Sequence, residues 1–159
     1  MVNIEVIPSM TLLGLARPFV PALEPGANGP QVISQLWAEV SKVFFGLAST
    51  RDDYPVGVGA MWLADPQVTS SMIYFAGYKV QEVPADFGSL QVLEIAEGEY
   101  ATVKHSDGME SLPQTIREFY SEALPKSAQQ RRDGYDLELY YQTGAPDFSS
   151  SVIIAAPVE

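Results

Sequence analysis

The chain has no cysteine among its 159 residues. That excludes a disulfide framework, an iron–sulfur cluster, a thiolate zinc site and a thiol nucleophile, and it suits a reducing compartment. Histidine occurs once, at His105, and no cluster of His, Asp and Glu falls at metal-ligand spacing, so neither a metal nor a cofactor is expected. Positive charge is scarce: 9 bases stand against 20 acids, a net charge of −11. Such a surface repels phosphate backbones, which argues against direct nucleic-acid binding, and it gathers cations. No stretch approaches the roughly 20 apolar residues of a membrane helix. The opening MVNIEVIPSM has neither the basic start nor the apolar run of a signal peptide. The expected setting is therefore cytoplasmic and membrane-free. Phosphate-loop, dinucleotide and serine-hydrolase fingerprints are all missing.

What is present is a chain that contains itself twice. EVIPSMTLLGLARP (5–18) and LEIAEGEYATVKHSD (93–107) each read as a short apolar piece, a tight turn and an alternating strand. Glu5 matches Glu94, and Met10 to Leu15 match Glu99 to Lys104. The turns fall at Pro8–Ser9 and Glu97–Gly98. A helix follows in each half. In the first, Val32, Ile33, Leu36, Trp37, Val40, Val43 and Phe44 recur at three-and-four spacing. In the second, Leu112, Ile116, Phe119, Tyr120 and Ala123 do the same; Ser111 stands at its cap and Pro125 at its end. A hairpin closes each half: YPVGVGAMWL and SMIYFAGYKVQEV about a DPQ turn, then YDLELYYQT and SSSVIIAAPV about a GAPD turn. PADFGS (84–89) joins the halves.

The expectation is one α+β domain over residues 1–159. It comprises two β-α-β-β units (about 1–83 and 90–159) related by a pseudo-twofold axis. Their antiparallel sheet carries two main helices and a central ligand groove. Neither half has enough apolar surface to fold alone, and the seam between such halves favours a small-molecule pocket.

Several short motifs, taken in order, resemble the GyrI-like effector-binding domains of AraC- and MerR-type multidrug regulators, a family that also has single-domain members. They are Leu36–Trp37, YPVGV (Tyr54–Val58), YFAGYKV (Tyr74–Val80), Glu94–Gly108, Ala123–Pro125, GYDLELYYQ (Gly134–Gln142) and Ile153–Val158. The resemblance implies an aromatic-walled pocket for bulky lipophilic cations, with a strand glutamate from a D-x-E-x-Y pattern facing the ligand charge. Here that pattern is Asp136, Glu138 and Tyr140. Phe119–Tyr120 stand where many relatives carry tryptophan. No helix-turn-helix accompanies the domain, so the chain is not expected to regulate a promoter alone; a separate DNA-binding partner or a homodimer would suit it.

Strand alternation puts Asp136, Glu138 and Tyr140 on one face and Leu137 and Leu139 on the other. By itself this reads as a wet face; the resemblance reverses that reading and makes Glu138 the pocket carboxylate. A buried carboxylate without a partner either protonates or awaits a cation, so its pKa should be raised. Trp37 is a pocket wall or a core residue. Tyr74, Tyr100, Phe119, Tyr120 and Tyr140 are further wall candidates, and Trp62 lies towards a rim. Gly57, Gly59 and Gly77, inside strands, suggest bulges or close backbone approach. His105 reads as a solvent-side residue at a strand end, and Arg131–Arg132 as a solvated loop. Three functions follow. The first is a binder of hydrophobic, cationic small molecules, with no catalytic residue assigned. The second is a hydrolase of reactive electrophiles, with Glu138 as general base and Tyr100 or Tyr140 polarising the substrate. The third is a gyrase-inhibitor-like interaction protein.

Overall fold

A computed structural model describes residues 2–21, 24–47, 56–141 and 151–159. The expected start of the first hairpin, Tyr54–Pro55, and the GAPD turn lie outside these residues. The first half runs β1 (Asn3–Ile7), β2 (Met10–Phe19), α1 (Gly29–Gly46), β3 (Gly57–Asp65) and β4 (Val68–Val80). The second runs β5 (Gln91–Ile95), β6 (Gly98–His105), α2 (Leu112–Glu118), a π-helical turn (Phe119–Ala123), a last turn α3 (Leu124–Lys126), β7 (Asp136–Tyr141) and β8 (Ser151–Pro157).

All eight strands form one antiparallel sheet in the order β1-β6-β8-β7-β3-β4-β2-β5. Exchanging β1–β4 for β5–β8 returns the same order read from the other end, and each half runs β-β-α-β-β rather than the expected β-α-β-β. The centre of that exchange lies between β3 and β7, where Gly59 stands opposite Glu138. Each apolar piece before a turn is a separate strand rather than one arm of a kinked strand. Moreover, the halves trade these strands: β1 pairs with β6, and β5 pairs with β2. Each half thus edges the other's sheet.

The sheet curls, and both faces are covered. Inside the curl lie Leu12, Val58, Phe75, Ile95, Leu137 and their neighbours. A Cβ on Gly14 would fall 1.9 Å from the Ala76 carbonyl oxygen, so the tight β2–β4 approach requires glycine there. The helices share the opposite face. α1 covers Leu13, Tyr74, Ala76 and Tyr78 with Leu36, Val40 and Phe44. The α2 region covers Ala101, Val152, Ile154 and Ala156 with Leu112, Phe119 and Leu124. No described helix is long and apolar enough to cross a membrane.

Two helix signals act differently from expectation. Ser111 makes no side-chain capping bond; its hydroxyl reaches back to the Asp107 and Gly108 carbonyls at 3.2 and 3.3 Å. Pro125 does not end the helix, which runs to Lys126. Proline has no N–H to give and crowds the preceding turn. The preceding turn widens instead: the Leu124 N–H bonds the Phe119 carbonyl, five residues back. His105 is buried rather than solvent-side. Its Nδ1 meets the Thr115 hydroxyl at 2.7 Å and its Nε2 the Gly108 carbonyl at 2.6 Å, which ties β6 to α2. Arg132 is no loop cation either. It donates to the Val158 and Glu99 carbonyls at 2.9 and 3.0 Å and lies over the Tyr100 ring.

Candidate functional site

The site forms on the helix-bearing face, at the seam between β3 and β7. Alternation in Asp-Leu-Glu-Leu-Tyr sends Leu137 and Leu139 into the curl and leaves Asp136, Glu138 and Tyr140 under the helices. Glu138 pairs with Gly59 on one side and Ile154 on the other. It is 6% exposed.

Its carboxylate is held by hydroxyls. Tyr74 on β4 donates to Oε1 at 2.8 Å and Tyr140 donates to the same oxygen at 3.0 Å. Tyr74 must cross β3 to get there, and it can because Gly59 has no side chain. The Trp37 indole N–H donates to the Tyr74 hydroxyl at 3.1 Å. The Trp37 ring stands edge-to-face on Tyr78 and on Tyr140, each at 5.6 Å between centroids. Tyr78 is fixed in turn by Ser41, with 2.8 Å between the hydroxyls. Trp37 touches the apolar clusters under both helices, so it roofs the seam.

Among the described residues no base forms an ion pair with Glu138. Burial pushes its pKa up, and the two tyrosine hydroxyls pull it part of the way back. Burial and the nearby carboxylate push the Tyr74 and Tyr140 pKa values well up, so both remain proton donors. Removing a carboxylate from water costs several kcal/mol, about, whereas each hydrogen bond to a charged group returns about 1.5–3 kcal/mol. Two bonds on one oxygen offset only part of that cost. A ring face and an under-compensated carboxylate are what an organic cation needs. Among the described residues no group of acids and histidine could hold a metal ion.

Of the expected wall residues, Trp37, Tyr74 and Tyr140 come together on Glu138. Tyr120 joins them at the outer end, where burial first, then Asp136 and, more weakly, Glu138 disfavour its ionisation. Phe119 is core: it packs under the α2 region, edge-on to Tyr120 at 4.9 Å. Tyr100 does not belong to this group. On β6 it is Ala101 that faces the helices, so Tyr100 points into the curl. Trp62 is also inside the curl, beside Tyr135. Tyr78 was not singled out from sequence, although its spacing from Tyr74 places both on one strand face. Arg131, expected in a solvated loop, pairs with Asp136 at 2.6 Å. Two open surface grooves lie elsewhere, one bordered by Val2, Ile4 and Glu118, the other by Ser9, Lys79 and Glu94. The rings close over Glu138 itself.

Residues 1–157 match the family described as the GyrI-like small molecule binding domain. No protein of curated function matches. Among solved structures, SAV2435 bound to tetraphenylphosphonium superposes with a TM-score of 0.70 at 15% identity, covering 100% of this chain and 94% of the other. EcmrR, in a complex with DNA, gives 0.66 at 14% identity; all of this chain covers 57% of it. A hydrolase from Listeria innocua gives 0.53 at 15% identity, covering 99% of this chain and 91% of that one. At such identities these likenesses speak to fold.

Proposed function

The chain belongs to the GyrI-like small molecule binding domains, and from that premise we propose that it binds lipophilic cations, with Glu138 as the counter-charge. The carrying observation is the Glu138 carboxylate itself, buried at the seam, bonded by Tyr74 and Tyr140 and paired with no base among the described residues. The likeness to SAV2435, which holds tetraphenylphosphonium, supports a cation of that kind.

Binding requires the roof to move. Trp37 is only partly buried, and its ring is held by edge contacts and one indole hydrogen bond. A cation that lifts it gains ring faces worth about 0.5–2 kcal/mol each. It also gains the charge of Glu138. Several such terms reach about −8 kcal/mol, near a micromolar Kd.

Thermal unfolding with tetraphenylphosphonium and with neutral triphenylphosphine oxide tests this. The cation should raise the Tm of the wild type and barely that of Glu138→Gln, while the neutral compound treats both alike. Mass spectrometry should return each compound unchanged. A product heavier by one water would favour a hydrolase instead.

A further inference from the structure

Glu138 is not the only acid on its strand face. Asp136 lies two residues away, about 7 Å along β7. It is mostly buried and already holds a cation: the Arg131 guanidinium, 2.6 Å from its Oδ1. The same guanidinium stands over the Tyr120 ring, 5.9 Å from its centroid. A carboxylate and an aromatic face therefore grip a positive group here, and the group is the protein's own. The Tyr120 hydroxyl is buried and turned towards Asp136, though it completes no hydrogen bond of normal geometry. Asp136 acts on it more strongly than Glu138 does. A hydroxyl buried in this way is a cost that a ligand group lying between the two acids would remove.

We propose that Asp136 and Tyr120 form a second cation subsite, kept closed by Arg131, and that the preferred ligands are dications with one positive centre for each acid. The proposal rests on Glu138 being the first cation subsite. Arg131 is suited to yielding. Its side chain is 47% exposed, so its ion pair is screened and weak, and it can swing into water once another positive group takes over the mostly buried Asp136. A ligand's second charge would take its place on Asp136, where desolvation is greater. Met61, opposite Asp136 on β3, gives that end of the seam a pliable wall.

The test uses two flat compounds of one shape: methyl viologen, with a positive nitrogen in each of its two joined rings, and 1-methyl-4-phenylpyridinium, with only one. Calorimetry at fixed physiological salt, where the acidic surface is largely screened, compares wild type, Arg131→Gln, Asp136→Asn and Glu138→Gln. Tetraphenylphosphonium is run alongside. The wild type should bind the viologen about tenfold tighter than the monocation. Arg131→Gln should widen that ratio by relieving the competitor, and Asp136→Asn should bring it close to one. A ratio unmoved by Asp136→Asn, or narrowed by Arg131→Gln, overturns the second subsite. If tetraphenylphosphonium binds through Glu138 and the ratio behaves so, only the second subsite falls. If Glu138→Gln weakens none of the three cations, the first reading falls with it. Urea midpoints of the variants show whether each is folded at the assay temperature.

Discussion

The Tyr74 hydroxyl oxygen fills the place of the side chain that Gly59 lacks, 2.1 Å from where a Cβ would stand. Glycine inside a strand weakens it, so a compensating use is to be sought. Here the use is a passage: the phenol crosses β3 and donates a hydrogen bond to Glu138 on β7.

Gly59→Ala should therefore displace Tyr74. The Cβ would also meet the ring's Cζ at 2.5 Å, so removing the hydroxyl alone gives little relief. A loss of about 1–3 kcal/mol is expected, as for overpacked cores. A lowered urea midpoint in Gly59→Ala, little recovered by adding Tyr74→Phe, checks it. An unchanged midpoint would mean that Tyr74 has free room to move.

The alternation in YDLELYY gives the face shared by Asp136, Glu138 and Tyr140, and the order of helix and closing hairpin is legible in both halves. Other features were out of reach for physical reasons. Period two says which residues share a face, not which face the helices cover, so Tyr100 was grouped with Tyr140. The exchange of β1 and β5 between halves is a long-range pairing with no local signature. Arg131 and Arg132 sit in a polar stretch that looks solvated; only the fold brings Asp136, Tyr120, Tyr100 and the Val158 carbonyl to meet them. His105 looks like a strand end because the α2 residue it bonds, Thr115, lies beyond a turn.

The raised pKa of Glu138 fixes a direction with pH. Its folded value lies above its unfolded value, so folding favours the protonated acid. The burial penalty is absent below the ordinary carboxylate range and grows as pH rises through the folded pKa. Stability should therefore decline over that window in the empty protein, and Glu138→Gln should flatten the decline. Asp136 is raised by burial as well and contributes in the same sense, opposed by Arg131. Urea midpoints from acid to neutral pH, in wild type and Glu138→Gln, measure the difference.

Cation affinity should run the other way. Below the folded pKa of Glu138 the ligand must expel a proton, which costs up to about tenfold in affinity per pH unit. Calorimetry in two buffers of different ionisation enthalpy should find protons released at acid pH and none once Glu138 is ionised. Affinity independent of pH would separate binding from this carboxylate.

The two tryptophans lie on opposite faces of the sheet, which makes emission a reporter of place. Trp37 roofs Glu138, and Trp62 packs in the curl. Tetraphenylphosphonium should change the emission of the wild type and of Trp62→Phe. In Trp37→Phe the change should be lost. Persistence of the signal there would move the ligand to another surface.

His105→Ala should separate fold from site. It removes both bonds between β6 and the α2 region, with an expected loss of about 1–3 kcal/mol. Cation affinity of the folded fraction should stay within about twofold, under half a kcal/mol. A large fall in affinity at unchanged stability would tie the α2 anchor to the pocket.

The most direct measurement is the Kd of tetraphenylphosphonium for wild type and Glu138→Gln at neutral pH. Glutamine keeps the shape and an oxygen for the Tyr74 and Tyr140 hydroxyls but removes the charge. The expected result is a Kd raised about thirtyfold, some 2 kcal/mol, with triphenylphosphine oxide affected less than about threefold. Equal Kd values for the cation in the two proteins would contradict the role given to Glu138.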